Sequence, residues 1–189
     1  MSGRTRAIPF HLRLRRCALN ALLSSLLLGL SATTVQGADQ GAVQLAFLYN
    51  FTKFVTWPEA AMKAASEFEL CILGDDPFGP TLDELSSKTV RDKPVRITRP
   101  RSAAALLKCQ LVYIAPSESW RLKQILQEIG RAPILSISSL DDFADQGGVI
   151  RQFWENGKPR FEINLKAAQQ SGLSLSSKLL ELAARIIKE

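Results

Sequence analysis

Two carboxylates stand directly behind an apolar run in Phe68-Glu69-Leu70-Cys71-Ile72-Leu73-Gly74-Asp75-Asp76-Pro77-Phe78-Gly79. At the carboxyl end of a strand, such a pair can hold magnesium or a phosphoryl group, because ligands of open α/β sheets settle there. That chemistry needs a further acid and a lysine at the ends of neighbouring strands. The later apolar runs end in Ala115-Pro116-Ser117 and Ser138-Ser139, which supply neither. The stretch therefore reads as a turn, in which Asp side chains bond nearby amides and Pro77 pre-sets φ. No G-x-G-x-x-G follows it, so a dinucleotide site has no support. Ser176 or Ser177 with Lys178 has the composition of a Ser-Lys nucleophile. With no oxyanion-hole signal nearby, the serines read as a helix cap and Lys178 as a solvated charge.

The location of charge and of cysteine narrows the chemistry further. The chain has 189 residues, 46% of them apolar, and a net charge of +6. Arg4, Arg6, Arg13, Arg15 and Arg16 precede the first acid, and without them 19 basic residues face 18 acidic ones. A nucleic-acid-binding surface is thus not expected. The basic segment is followed by the 13 apolar-rich residues Ala18–Leu30 and then by small and polar residues. A spanning helix needs about 20 apolar residues, so this is the layout of a secretory signal rather than an anchor. We expect residues 1–38 to be a signal peptide, cleaved near Gly37 or Ala38, and residues 39–189 to be one exported α/β domain. Cys17 precedes the apolar stretch, so it does not fit a lipoprotein cysteine. Export removes His11, the only histidine, and with it the usual general base and commonest metal ligand. Neither a catalytic set, a metal nor a cofactor is expected.

The elements that must position the remaining residues follow from periodicity. Residues 42–55 carry apolar side chains at helical spacing, with Lys53 the only charge, and Thr56-Trp57-Pro58 stops the helix. Strands are expected at 68–73, 95–98, 109–115 and 133–137. Helices are expected at 80–87, 102–108, 120–129 (capped by Ser117) and 140–145. Such alternation gives a mostly parallel sheet of five to six strands flanked by helices, in a Rossmann-like or flavodoxin-like order. The pattern then changes. Two apolar-containing runs, 149–154 and 160–165, flank Glu155-Asn156-Gly157-Lys158, and Asn-Gly is the strongest short hairpin signal. A C-terminal antiparallel hairpin should close the sheet, followed by a helical turn at 166–170. A final helix is expected over 176–188 with Leu179, Leu182, Ala183 and Ile186 on one face.

Cys71 and Cys109 survive cleavage as an even pair in an oxidising compartment, which reads as a disulfide. A redox-active pair would carry C-x-x-C, which is missing. Neighbouring strands lie about 4.8 Å apart, and a disulfide spans Cα separations of roughly 4.4–6.8 Å. The bridge therefore requires the first and third strands to be neighbours, as in a 2-1-3-4 order.

Several separated blocks resemble the YfiR family: Ala46–Pro58 (AFLYNFTKFVTWP), LCILGDDPFG, Lys108–Ala115 (KCQLVYIA), GGVI, Arg160–Leu165 (RFEINL) and Ser171–Leu180 (SGLSLSSKLL). They run in order over nearly all of the mature chain. The resemblance implies a periplasmic, non-enzymatic regulator. Its expected partner is the periplasmic domain of an inner-membrane diguanylate cyclase, which it would hold inactive. It further implies release by an outer-membrane or peptidoglycan-associated lipoprotein, and control of cyclic di-GMP and biofilm. The family's disulfide pair matches Cys71 and Cys109, while a second cysteine pair of some members has no counterpart. A homodimer is plausible, since a sheet edge invites pairing. The alternatives are a periplasmic small-ligand or peptidoglycan-binding module and, third, a hydrolase using Asp75 or Asp76.

For a protein-binding role, the hairpin is the candidate surface, because Arg151, Phe153, Trp154 and Arg160 place aromatics and arginines around one turn. Phe161, Ile163 and Leu165 should face the core and leave Arg160, Glu162 and Asn164 accessible. Trp57 and Lys178 are added to this partner- or ligand-binding set.

Overall fold

In the computed structural model, which describes residues 35–188, the breaker-free apolar segment forms one long helix, α1 (Val35–Phe54). The chain divides into two units, Met1–Ala38 and Asp39–Glu189, and the fold described is that of the second. The expected leader, with His11 and Cys17, lies outside the described residues apart from its last four positions. The helix stops at Phe54, before Thr56-Trp57-Pro58, because the chain turns into a two-residue strand β1 (Val55–Thr56) that pairs antiparallel with β9 (Ser174–Leu175). Helix α2 (Glu59–Ala64) leads into the main sheet.

The main sheet contains β2 (Phe68–Leu73), β3 (Thr89–Val90), β4 (Lys93–Thr98), β5 (Leu111–Ile114), β6 (Leu135–Ser138), β7 (Ile150–Glu155), β8 (Lys158–Asn164) and β10 (Arg185–Ile187). Their order is β10-β8-β7-β6-β5-β2-β4-β3. The four strands of the expected α/β core thus stand second-first-third-fourth, the flavodoxin-like arrangement, all parallel. The hairpin β7–β8 is antiparallel, with Glu155 opposite Lys158 and a turn in which both Asn156 (φ 51) and Gly157 (φ 72) are left-handed. Asn-Gly is favoured there because few other residues tolerate that conformation. The six strands read from the sequence are joined by two short edge strands, β3 and β10.

Alternation sorts the side chains of the central strands between two apolar layers. Leu70, Ile72, Leu111, Tyr113, Leu135 and Ile137 face the layer built with Leu48 and Phe51 of α1. Cys71, Leu73, Val112 and Ile114 face the layer built with Leu122, Ile125 and Phe143. Each fully buried aliphatic side chain contributes about 1.5–3 kcal/mol. Buried on both faces, β5 reads as an unbroken apolar run for this reason. The short helix α3 (Pro80–Asp83) after β2 packs in the first layer through Leu82. Helix α4 (Leu122–Ile129) after β5 packs in the second.

Four expectations are corrected. The final helix stops early: α6 (Ser177–Leu182) gives way to β10, which pairs in parallel with β8. Leu182, expected on the packed face, is 67% exposed. The helix expected from Trp120 begins at Leu122 after a 3-10 segment, Pro116–Arg121, and Ser117 does not cap it. Residues 140–145 form turns rather than a helix. Cys109 lies outside β5, as the residue that closes the 3-10 segment Ala104–Lys108. The helical turn after the hairpin, α5 (Leu165–Gln170), and the Ser176 cap of α6, which accepts a hydrogen bond from the Leu179 amide, form as expected.

Candidate functional site

The opening turn resolves into local bonds. Asp76 Oδ1 accepts from the Phe78 amide at 2.8 Å, which closes an Asx turn, and Oδ2 accepts from Arg99 Nε (3.0 Å) and Nη2 (2.8 Å). The Asp75 amide donates to Ser117 Oγ at 2.9 Å, which engages the hydroxyl that would have capped the next helix. Gly74 sits at φ 90, and a Cβ there would stand 2.6 Å from Ser117 Oγ. The glycine is required because the loops after β2 and β5 touch at this point.

Cys71 of β2 is bonded to Cys109, two residues before the neighbouring strand β5, with their Cα atoms 6.0 Å apart. The bond is buried in the second apolar layer, where Thr98 Oγ1 stands 3.1 Å from Cys71 Sγ. Closing a loop of this size stabilises the fold by about 4 kcal/mol in the chain-entropy picture.

Five of the seven residues named for partner binding fall on one face of the hairpin. Arg151, Phe153, Arg160, Glu162 and Asn164 alternate with the inward Ile150, Gln152, Phe161 and Ile163. What the periodicity could not show is how that face is occupied. Arg151, Glu162 and Arg185 stand directly opposite one another on β7, β8 and β10. Glu162 lies 3.6 Å from Arg151 Nη1 and 3.0 Å from Arg185 Nη2. Asp141 closes one end of this row on Arg151, and Asp145 accepts from Arg185 Nη1 at 2.8 Å at the other. The result is a ladder of five alternating charges across three strands. The Arg185 hydrogen bond holds the Asp145 carboxyl below its usual range, and Asp145 and Glu162 together push the Arg185 guanidinium upward. The Arg151 guanidinium also stacks on Phe153, 4.7 Å from the ring centre.

The face is accordingly not an open one. Glu162 has a side chain only 12% exposed. Asn164 is buried: its Oδ1 caps α5 through the Ala167 amide, and its Nδ2 donates to the Ala144 carbonyl at 2.7 Å. Residues 140–146 form the cover, seated by the Phe143 ring against Gly148, where any Cβ would stand 2.1 Å from a ring carbon. Of these five, only Arg160 is exposed, with Phe153 half-buried beside it near the hairpin tip. Trp57 is no surface residue: it is 4% exposed, donates from Nε1 to the Gln110 carbonyl at 2.9 Å and meets Phe68 edge-on. Lys178 is exposed on α6, whose Leu179 packs into the opposite apolar layer, so it does not join the hairpin face. Sequence reasoning missed Arg185, Asp141 and Asp145, because it placed all three in helices. Only the strict alternation of β8 hints that Glu162 needs cross-strand cations.

A second polar region lies at the carboxyl ends of β2, β4 and β5. There Arg99, Arg101 and Arg121 line a cavity of about 420 Å3 together with Asp75 and Glu118. Glu118 is mostly buried and pairs with Arg121. Among the described residues, no helix is long and apolar enough to cross a membrane.

The sequence model of the family described as YfiR/HmsC-like (DUF4154) matches residues 41–184. No curated protein matches the chain. Among solved structures, a conserved domain protein from Vibrio cholerae O1 biovar El Tor is similar with a TM-score of 0.55 and 10% identity. That match covers 77% of this chain and 60% of the other, so the likeness is one of fold. The ABC domain in complex with L-Trp from Streptococcus pneumonia matches with a TM-score of 0.48 and 13% identity, over 64% of this chain and 55% of that one.

Proposed function

This chain belongs to the YfiR/HmsC-like family, and on that premise we propose that it binds and represses the periplasmic sensor part of an inner-membrane diguanylate cyclase. Members of the family are periplasmic regulators in cyclic di-GMP signalling rather than enzymes. The observation that carries the proposal is the match over residues 41–184, nearly the whole of the second unit. In this reading residues 1–38 are a cleaved leader and the domain acts in the periplasm. An outer-membrane or peptidoglycan-associated lipoprotein relieves the repression.

The contact surface is narrower than alternation alone implies. The hairpin tip offers Arg160 and Phe153, an arginine and an aromatic side chain, which is the composition enriched at interface hot spots. Glu162 and Asn164 stabilise the face instead of reaching a partner. Charge reversal at Glu162 would disrupt the ion ladder and could not be read as a binding defect, whereas Arg160→Glu touches only the weak 3.8 Å pair with Glu155. The test is capture of the cyclase's periplasmic domain by the mature protein, with cyclic di-GMP measured in a deletion strain. Capture that Arg160→Glu weakens, with cyclic di-GMP raised by the deletion, is the expected result. No capture and unchanged cyclic di-GMP would overturn the proposal.

A further inference from the structure

The cavity at the carboxyl ends of β2, β4 and β5 has no part in the regulator reading, and it sits where the sheet changes direction. The connection after β2 packs Leu82 and Leu85 into the first apolar layer, and the one after β5 packs Leu122 and Ile125 into the second. The two loops part on opposite faces of the sheet, and the cavity opens beside their junction, over the end of β2, with Arg99, Pro100 and Arg101 after β4 as its other wall. Open α/β sheets bind ligands at this topological switch point, where main-chain groups and loop side chains converge. Gly74 and Ser117 hold the two loops in contact at the crevice wall, so its shape is built into the fold.

The side chains bordering it include three guanidinium groups, two of them fixed. Asp76 grips Arg99 through two nitrogens, and Asp83 lies 3.4 Å from the same Nη2. Glu118, with a side chain 11% exposed, grips Arg121. A guanidinium carries five N–H donors, and these pairings leave donors over. The pairings also restrict rotamers, which lowers the ordering cost of binding. Arg101 has no hydrogen-bond or ion-pair partner among the described residues. The carboxylates nearby are already engaged with Arg99 and Arg121, except for that of Asp75. Arginine is suited to planar or tetrahedral oxyanions because its fork can donate twice to one group.

We infer that this crevice is a binding site for a small ligand carrying a carboxylate or phosphate, held by Arg99, Arg101 and Arg121, with a hydrogen-bond donor of the ligand directed to Asp75. The inference does not depend on the identity of the protein partner. It is tested by amide chemical-shift mapping of the exported protein, titrated separately with inorganic phosphate and with succinate against sodium chloride of equal ionic strength. Saturable shifts at 74–75 and 117–121 with either anion are expected. Arg101→Gln should weaken that binding about tenfold, the loss of one charge-assisted contact. Because Arg101 is exposed and unpaired, its variant should keep the wild-type unfolding midpoint, and Arg121→Gln serves as a second variant. A response to phosphate alone assigns phosphate esters, and one to succinate alone assigns carboxylates. No saturable response to either, shifts elsewhere only, or equal binding by Arg101→Gln would overturn the site.

Discussion

The centre and the hairpin margin of the sheet are held by different forces. At β2, β5 and β6 both faces are covered, and Leu70, Ile72, Leu111, Tyr113 and Ile137 are at most 1% exposed. Their cohesion is apolar, with one buried disulfide added on the second face. At β7, β8 and β10 only one face is apolar, where Phe161 meets Phe51 and Phe47 of α1. The other face carries the row Asp141–Arg151–Glu162–Arg185–Asp145. The first arrangement tolerates salt and acid because it depends on area removed from water. The second depends on ionised carboxylates and is the part of the sheet that pH can loosen.

Variants can separate the two regions. The largest expected loss is from Cys71→Ala with Cys109→Ala, about 4 kcal/mol from the chain-entropy relation, read from urea unfolding against the oxidised wild type. Ile72→Ala should cost about 3 kcal/mol, because the surrounding strands cannot close over the cavity. Glu162→Gln should cost about 2 kcal/mol, as two guanidinium groups lose the negative charge they share. Hydrogen exchange should then show 185–187 losing protection before any central strand. If Glu162→Gln lowered protection equally in β2 and β5, the two regions would be one cooperative unit and the distinction would fail.

Acid sharpens the same contrast. The folded-state pKa of Asp145 is lowered, first by its hydrogen bond from Arg185. A lowered value means that the contact stabilises the fold above the unfolded carboxyl value of about 3.9 and is lost as pH falls through the folded one. Protection factors of β10 amides should therefore decline below about pH 4 while those of β5 persist. The smallest stability effect is expected at the tip. Arg160→Ala should change stability by less than about 0.5 kcal/mol yet lower affinity for the proposed partner, a cyclase's periplasmic domain, about tenfold.

The legible part of this fold is the part governed by local rules. The run Leu111–Ile114 announced a doubly buried strand, Asn156-Gly157 a two-residue hairpin, and Ser176 a helix cap. Neighbouring first and third strands followed from treating Cys71 and Cys109 as partners, although Cys109 itself lies before β5. The illegible part has two examples. The sequence 183–188 has helical periodicity, but Ala184 donates its amide to the Phe161 carbonyl and the chain continues as β10. An unpaired edge on β8 outweighs a weak local preference. Trp57 follows a helix stop and looks exposed, yet its indole finds the Gln110 carbonyl 53 residues away.

Composition and spacing determined the class of molecule: an α/β sheet with a hairpin, one disulfide and no dominant charge after the first sixteen residues. Those properties depend on neighbours in sequence, where period and turn chemistry act directly. The tertiary structure decided which polar residues are free. Glu162, Asn164 and Trp57 are occupied, Arg160 has only its exposed 3.8 Å pair with Glu155, and Arg101 has no partner among the described residues, because a side chain's availability depends on partners that only folding brings within hydrogen-bond reach.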